Sequence, residues 1–354
     1  MKQLPIKLDA AITSECWNFF RTSIIGTVPS GREWIASHYD VFMHWNGHIH
    51  FGDGLNRYAI PYYDILDQQN LPLEHYGTQD LASHIERWID EGAYVMIDAD
   101  TSKLTDNPEF RIHELLVYGY DKERHIFYSP LQNGKTGKFE VFELQYDTVL
   151  AAVKSVIAYY RKHPLERVTR ACQYFYPLTT IKIRPVQYDD TLFIMMALKK
   201  LEAEYTGDRR EFVRYEQTRE AGERFVNYTG LGCFIGMREI LSDLISTPDA
   251  EVSLSLGTNL FKLYEHHVIL VSTLDLLRDK LGISTPVYDR NLATYKALSG
   301  SMRETYLLMK KAEISNKKNS LPGIIQRLDI VYESSYSSLR NMDKVARKTL
   351  AKRL

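Results

Sequence analysis

Two residues, Cys16 and His113, form the most specific chemical pattern in the chain. Nucleophilic catalysis by cysteine requires a thiolate, a histidine that takes and returns the proton, and a group that orients the histidine. Cys16 stands at the start of the apolar run CWNFF, and His113 opens the run HELLVY. We therefore expect a cysteine–histidine pair in which a helix carries the nucleophile and a strand carries the base.

The helix that would carry Cys16 is predicted over CWNFFRTSII. Thr13 is its predicted N-cap, which places Cys16 at the third helical position. A thiol at that position faces the positive end of the helix dipole, so its thiolate should be favoured. The alternative is a small buried apolar residue, because free cysteines are commonly buried.

The strand that would carry His113 belongs to a predicted hairpin over residues 112–130, IHELLVYGYDKERHIFYSP. Its turn lies at Gly119–Asp121, and HIFYSP is the return strand. We expect the orienting group to come from the return strand near Ser129, because neighbouring antiparallel strands bring opposing side chains together.

Elements on both sides of the hairpin have clear patterns. DLASHIERWIDEG reads as an amphipathic helix that ends at Gly92, and AYVMIDAD reads as a buried strand. The strand ends in Asp98 and Asp100, which are either site residues or only the polar residues that end the strand. Other elements predicted before residue 188 are helices over residues 61–71 and 146–161 and a strand over residues 177–185.

From about Tyr188 the strand patterns stop and long helical periods begin. The predicted helices are Thr191–Glu204, Asp208–Val226, Gly236–Ile245, Leu254–Leu281, Arg290–Lys311 and Leu321–Lys348. We expect a first domain of mixed helix and antiparallel sheet over residues 1–187 and an all-α lid or bundle over residues 188–354. The arginines of the second helix could meet an acidic partner or form a solvated face: Arg209, Arg210, Arg214, Arg219 and Arg224.

Histidine pairs elsewhere give weaker patterns. His48 and His50 alternate on one strand face, but no third ligand is evident nearby, so an exposed polar face is favoured over a metal site. His266 and His267 are neighbours on a helix and point about 100° apart, so we expect a partly exposed pair. We predict neither a metal nor a cofactor, because Walker A, GxGxxG, HExxH and CxxC motifs do not occur.

The composition of the 354 residues excludes several classes of protein. A net charge of −1 gives no bias towards nucleic acid or an anionic membrane. No apolar run reaches the length of a membrane span, and the N-terminal segment lacks the apolar region of a secretory signal. Three widely spaced cysteines argue against a disulfide framework, so we expect a cytoplasmic protein.

Three motifs in order resemble a known family. They are Cys16 in SECWNFF, the strand GAYVMID that ends in Asp98, and His113 followed by Gly119–Asp121 in IHELLVYGYD. Over residues 10–135 the chain resembles the peptidase C39-like, papain-fold group and is most similar to the N-terminal domain of butirosin-biosynthesis H-type proteins. In the papain-like pattern an Asp or Asn follows the histidine strand. Here Ser129 stands at the best-matching position, and Asp98 is the substitute candidate.

The resemblance implies acyl transfer. An acyl group would pass from the phosphopantetheine thioester of a carrier protein to Cys16 and then to a small amine, in a secondary-metabolite pathway of the non-ribosomal peptide or polyketide type. One alternative is a cysteine hydrolase that uses the same pair, as a peptidase, amidase or thioesterase. The other is a non-enzymatic binding module, which the serine at residue 129 favours. The predicted catalytic residues are Cys16, His113, Ser129 and Asp98.

Overall fold

The computed structural model describes residues 1–44, 47–53, 60, 62–76, 78–105, 109–133, 136–173, 176–185, 188–207, 209–213, 224–247, 249–253 and 255–353. The chain divides into two compact units. Unit 1 comprises Met1–Gly31 and Tyr62–Val186, and unit 2 comprises Arg32–Pro61 and Gln187–Leu354. Residues 32–61, which the sequence patterns place in the first domain, therefore belong to unit 2.

Unit 1 contains two four-stranded antiparallel sheets. The first has the order β1-β7-β8-β9, with β1 at Lys2–Gln3, β7 at Gly119–Asp121, β8 at Ile126–Gln132 and β9 at Phe139–Gln145. The second has the order β4-β10-β5-β6, with β4 at Leu66–Asn70, β10 at Leu178–Ile183, β5 at Tyr94–Asp100 and β6 at Ile112–Val117.

The helices of unit 1 are α1 at Cys16–Ile25, α3 at Thr78–Asp90, α4 at Tyr146–Lys162 and α5 at Pro164–Gln173. Two of them, α3 and α4, pack apolar side chains against strands of these sheets. The core joins Ile85 and Ile89 of α3 to Ile97 of β5, Leu115 of β6 and Val153 of α4. Alternate strand residues and helix residues three or four apart meet there, as their periodicities predict. The predicted helix before Gly92, the strand after it and the strand near residue 180 are confirmed.

The helix predicted over residues 61–71 is wrong. Residues Leu66–Asn70 form β4, which pairs with β10 so that Asn70 lies opposite Thr179. The polar sequence LDQQN has no strand pattern of its own. A partner strand more than a hundred residues away supplies its backbone hydrogen bonds.

Unit 2 combines one antiparallel sheet with long helices. The sheet has the order β11-β12-β2-β3, with β11 at Arg209–Val213, β12 at Arg224–Thr229, β2 at Tyr39–Met43 and β3 at Ile49–Asp53. The helices are α2 at Gly31–His38, α6 at Asp190–Thr206, α7 at Gly232–Ser246, α8 at Ser255–Leu281, α9 at Pro286–Ser315 and α10 at Leu321–Ala351. The helical C-terminal region is confirmed.

The predicted helix over Asp208–Val226 and the predicted all-α character of residues 188–354 are both wrong. Arg209, Arg210 and Arg224 lie on the strands β11 and β12, while Arg214 and Arg219 fall outside the described residues. The region therefore contains two strands. They belong to a sheet with residues 32–61, in which Thr229 of β12 pairs with Phe42 of β2.

The two neighbouring histidines of α8 are not a partly exposed pair, since His266 and His267 are each only 2% exposed. No helix in the described part of the chain combines the length and the apolar character needed to cross a membrane.

Candidate active site in unit 1

Cys16 is the first residue of α1. The N-cap is Glu15, in an extended conformation, and not Thr13 as predicted. The prediction that Cys16 is the third residue of the helix is therefore wrong. Glu15 is buried, and its Oε2 accepts a hydrogen bond of 2.6 Å from Asn18 Nδ2. The start of α1 therefore carries a buried carboxyl group beside the thiol.

The surroundings of Cys16 favour the thiol over the thiolate. Burial raises its pKa, the negative charge of Glu114 raises it further, and Arg111 with the backbone N–H of Cys16 lowers it less, so the pKa reaches about 12. Desolvation and a nearby carboxylate thus outweigh the helix terminus. The expectation of a favoured thiolate is wrong for this state, and the thiol keeps its proton at neutral pH.

His113 has a carboxylate partner on its own strand. Its Nδ1 lies 3.1 Å from Glu114 Oε2 and 3.1 Å from the Glu114 backbone oxygen. Both groups are acceptors, so Nδ1 carries the proton in the neutral ring and Nε2 keeps its lone pair. The Glu114 side chain is 4% exposed and the His113 side chain 30% exposed, so the carboxylate is buried and the ring is reachable.

Glu114 is a candidate site residue that sequence reasoning missed. Neighbouring residues on a strand usually point to opposite faces, so the strand pattern does not predict a contact between Glu114 and His113. The available signal was an acid inside the apolar run ELLV, because a buried acid in a strand requires a partner. Glu114 also raises the pKa of Cys16, so it links the two predicted site residues electrostatically.

Asp98 lies next to this group without bonding to the histidine ring. It is buried in β5 directly opposite Glu114, while Ala99 lies opposite His113. Its Oδ2 accepts a hydrogen bond of 2.5 Å from Tyr160 Oη of α4. Within the described residues, the acid that contacts the His113 ring is therefore Glu114 and not Asp98.

Ser129 lies in β8, which belongs to the other sheet and contacts β6, the strand of His113. Tyr128 pairs with Gly119, and the Tyr118 N–H donates to the Tyr128 oxygen at 3.1 Å. Ser129 Oγ is buried, and the described residues offer it no hydrogen-bond partner.

The structure thus brings α1 against β6, and Cys16 near Glu114. No hydrogen bond joins Cys16 Sγ to the His113 ring among the residues described. The arrangement can supply a nucleophile, a base and an acid that stabilises the protonated base.

A second histidine group lies on the hairpin of β2 and β3 in unit 2. The ring of His44 lies 5.4 Å from that of His50, and the ring of His48 lies 6.4 Å from it, measured between centroids. Burial and the neighbouring histidines lower the pKa of both His44 and His48. His44 is thus the third histidine that was not evident from sequence. The ligand atoms of the three do not converge within 4.8 Å.

Neither a protein-family profile nor a curated protein sequence matches the chain.

Proposed function

We propose that unit 1 is a cysteine-dependent acyl-transfer domain in which Cys16 is the nucleophile, His113 the general base and acid, and Glu114 the positioning residue. The observation that carries the proposal is the contact between His113 Nδ1 and the buried Glu114 carboxylate, 3.1 Å, on a strand packed against the helix of Cys16. A papain-like arrangement of cysteine helix and histidine strand is part of the same proposal.

The protonated thiol determines how the first step would run. His113 Nε2 would take the Cys16 proton while Sγ attacks the carbonyl carbon of a thioester, because little thiolate exists beforehand. The imidazolium that forms lies next to Glu114, which stabilises its charge. The tetrahedral intermediate then expels the donor thiol, which takes the proton from His113, and an acyl-Cys16 thioester remains.

The second step would release the acyl group. An amine attacks the acyl-Cys16 carbonyl, loses a proton to His113 Nε2, and expels the Cys16 sulfur, which recovers that proton. The products are an amide and the free thiol. The carrier-bound donor, the amine acceptor and the biosynthetic setting rest on the family resemblance. Water in place of the amine would make the same site a hydrolase.

Intact-mass spectrometry with an acyl phosphopantetheine thioester tests the nucleophile. We expect one acyl adduct on the wild-type chain and none on Cys16→Ala. Cys233→Ala is the matched control, because that thiol is fully buried in unit 2 and should leave the adduct unchanged. A wild type without an adduct, or an adduct that persists in Cys16→Ala, contradicts the proposal. Product analysis with and without an added primary amine separates transfer from hydrolysis.

A further inference from the structure

Three ionisable side chains from distant parts of the sequence meet in the core of unit 2. They are Asp40 on β2, Glu204 on α6 and His266 on α8, and they are 5%, 0% and 2% exposed. Two carboxyl groups and an imidazole at this depth lose their hydration, which is unfavourable unless other groups replace it. The cluster belongs to unit 2, whereas Cys16 belongs to unit 1, and it has no part in the proposed acyl transfer.

The distances within the cluster match those between the ligands of a small cation. His266 Nε2 lies 3.0 Å from Glu204 Oε2 and 3.5 Å from Asp40 Oδ1. One ligand atom from each residue lies within 4.8 Å of the other two, and the described residues contain no other such group of three. In a tetrahedral zinc site with bonds of about 2.0–2.1 Å, neighbouring ligand atoms are about 3.3 Å apart.

A buried polar atom without a partner also fits a bound cation. Glu204 Oε1 is buried and accepts no hydrogen bond from the described residues. Such an orphan is unfavourable because it has lost its hydration, and a cation held by both oxygens of Glu204 would satisfy it. His266 Nδ1 would carry the proton of the coordinated ring. It also lacks a partner among the described residues, so His266 is a weaker ligand than one with an outer-shell acceptor.

The charges around the cluster define what competes with a cation. Burial raises the pKa of Asp40 to about 6, with the charge of Glu204 adding to the effect, and burial raises the pKa of Glu204 to about 7. Burial lowers the pKa of His266 to about 3, so the ring is neutral. In the metal-free cluster Nε2 donates its proton to Glu204 Oε2, and binding of a metal at Nε2 would require the Nδ1–H tautomer. Lys200, whose Nζ donates to the Ala36 oxygen at 2.9 Å, contributes one positive charge nearby.

The other titratable groups near Glu204 are Cys233 and Tyr295, and both stay neutral because burial raises the pKa of each. A cation must therefore compete with protons for the carboxyl groups of Asp40 and Glu204, because burial raises the pKa of both.

We propose that Asp40, Glu204 and His266 form a buried site for one divalent first-row transition-metal ion. The imidazole favours zinc or iron over magnesium or calcium, which prefer all-oxygen sites, and the two carboxylates also suit manganese. The role is structural, because a residue of β2 is held to residues of α6 and α8, and the ligands are closed off from substrate. An ion bound to the folded state alone stabilises it by mass action.

The experiment uses the full chain after EDTA treatment and desalting. Each of zinc, manganese and magnesium is added, excess is removed, and bound metal is measured by elemental mass spectrometry alongside thermal melting. We expect about one equivalent of zinc or manganese per chain, a higher melting temperature, and no retention of magnesium. A folded wild-type chain that retains less than roughly a tenth of an equivalent of either metal overturns the proposal.

Near-isosteric variants locate the ion. Asp40→Asn and Glu204→Gln should each weaken zinc binding at least about tenfold. His267→Gln is the matched control, since His267 is equally buried on the same helix and stacks on Tyr295 with ring centroids 4.2 Å apart, outside the cluster. Full retention of metal in both carboxyl variants would place the ion elsewhere and refute the site. If one carboxyl variant fails to fold, the other decides the location, and a wild-type chain that retains no metal overturns the site in either case.

Discussion

The Glu114 carboxylate lies 3.1 Å from Nδ1 of His113, its neighbour in the same strand. The pair combines a half-buried ring with a buried acid, which is the combination needed to hold an imidazole in one tautomer and to stabilise its protonated form. Glu114 has a second effect, because its charge raises the pKa of Cys16. The two effects lead to opposite predictions for the same variant.

Glu114→Gln should slow the proposed acyl transfer. The amide cannot stabilise the His113 imidazolium, so we expect a loss of about 10²-fold or more in the rate of amide formation from a thioester donor. Stopped-flow or quenched-flow assays of single turnover measure this rate. Glu114→Asp should recover part of it at unchanged thermal stability. A rate equal to that of the wild type in Glu114→Gln would remove Glu114 from the mechanism.

The same variant should speed the alkylation of Cys16. With a pKa of about 12 against 9.0 for an ordinary thiol, the thiolate fraction at pH 8 is about a thousandfold lower than usual. Iodoacetamide should therefore react slowly, and its rate should still rise with pH above pH 10. Removing the negative charge in Glu114→Gln lowers the pKa and raises the rate at fixed pH.

Arg111→Gln should have the opposite effect on the alkylation rate, because the exposed Arg111 lowers the pKa of Cys16. Its alkylation should be slower than that of the wild type. General destabilisation would accelerate alkylation in both variants, so a shared direction of change would contradict the electrostatic account.

Ser129→Ala should leave both activity and folding intact. Ser129 Oγ is buried without a hydrogen-bond partner among the described residues and lies in the sheet that does not contain His113. Removing an unsatisfied buried hydroxyl is expected to be neutral or to raise the free energy of unfolding by about 1 kcal/mol. Urea unfolding and the acyl-adduct assay check the two halves of this prediction. A loss of adduct at wild-type stability would restore Ser129 as a site residue.

Gly230→Ala should damage unit 2 through Glu204. Gly230 has φ +52°, and a Cβ there would lie 2.9 Å from Glu204 Cα, its backbone oxygen and Oε2. Left-handed strain of about 1–2 kcal/mol and overpacking of about 1–3 kcal/mol should add up. Gly282→Ala is the control, because it has φ +54° and its Cβ would meet only the flexible tip of Arg353 at 3.1 Å. Urea unfolding should show a larger loss in the free energy of unfolding for Gly230→Ala than for Gly282→Ala. Equal losses would show that the contact with Glu204 does not destabilise the variant.

Much of unit 1 was predictable because its patterns are local. The apolar stripe of α3, which includes Ile85 and Ile89, has a helical period that is visible in the sequence. The apolar run of β5 likewise identifies a buried strand without reference to distant residues. The helical patterns of α8 to α10 likewise match the structure. The failures share one cause. β4 and β12 have weak patterns and are strands because β10 and β2, far away in the chain, pair with them.

The candidate site divides in the same way. Sequence by itself was sufficient to single out Cys16 and His113, because a cysteine at a helix start and a histidine at a strand start are local features. Tertiary structure alone determined that Glu114 faces His113, that burial opposes the thiolate of Cys16, and that Ser129 lies in another sheet. The convergence of Asp40, Glu204 and His266 is equally a tertiary result. Register, burial and desolvation depend on which distant segments meet, and no local pattern encodes that.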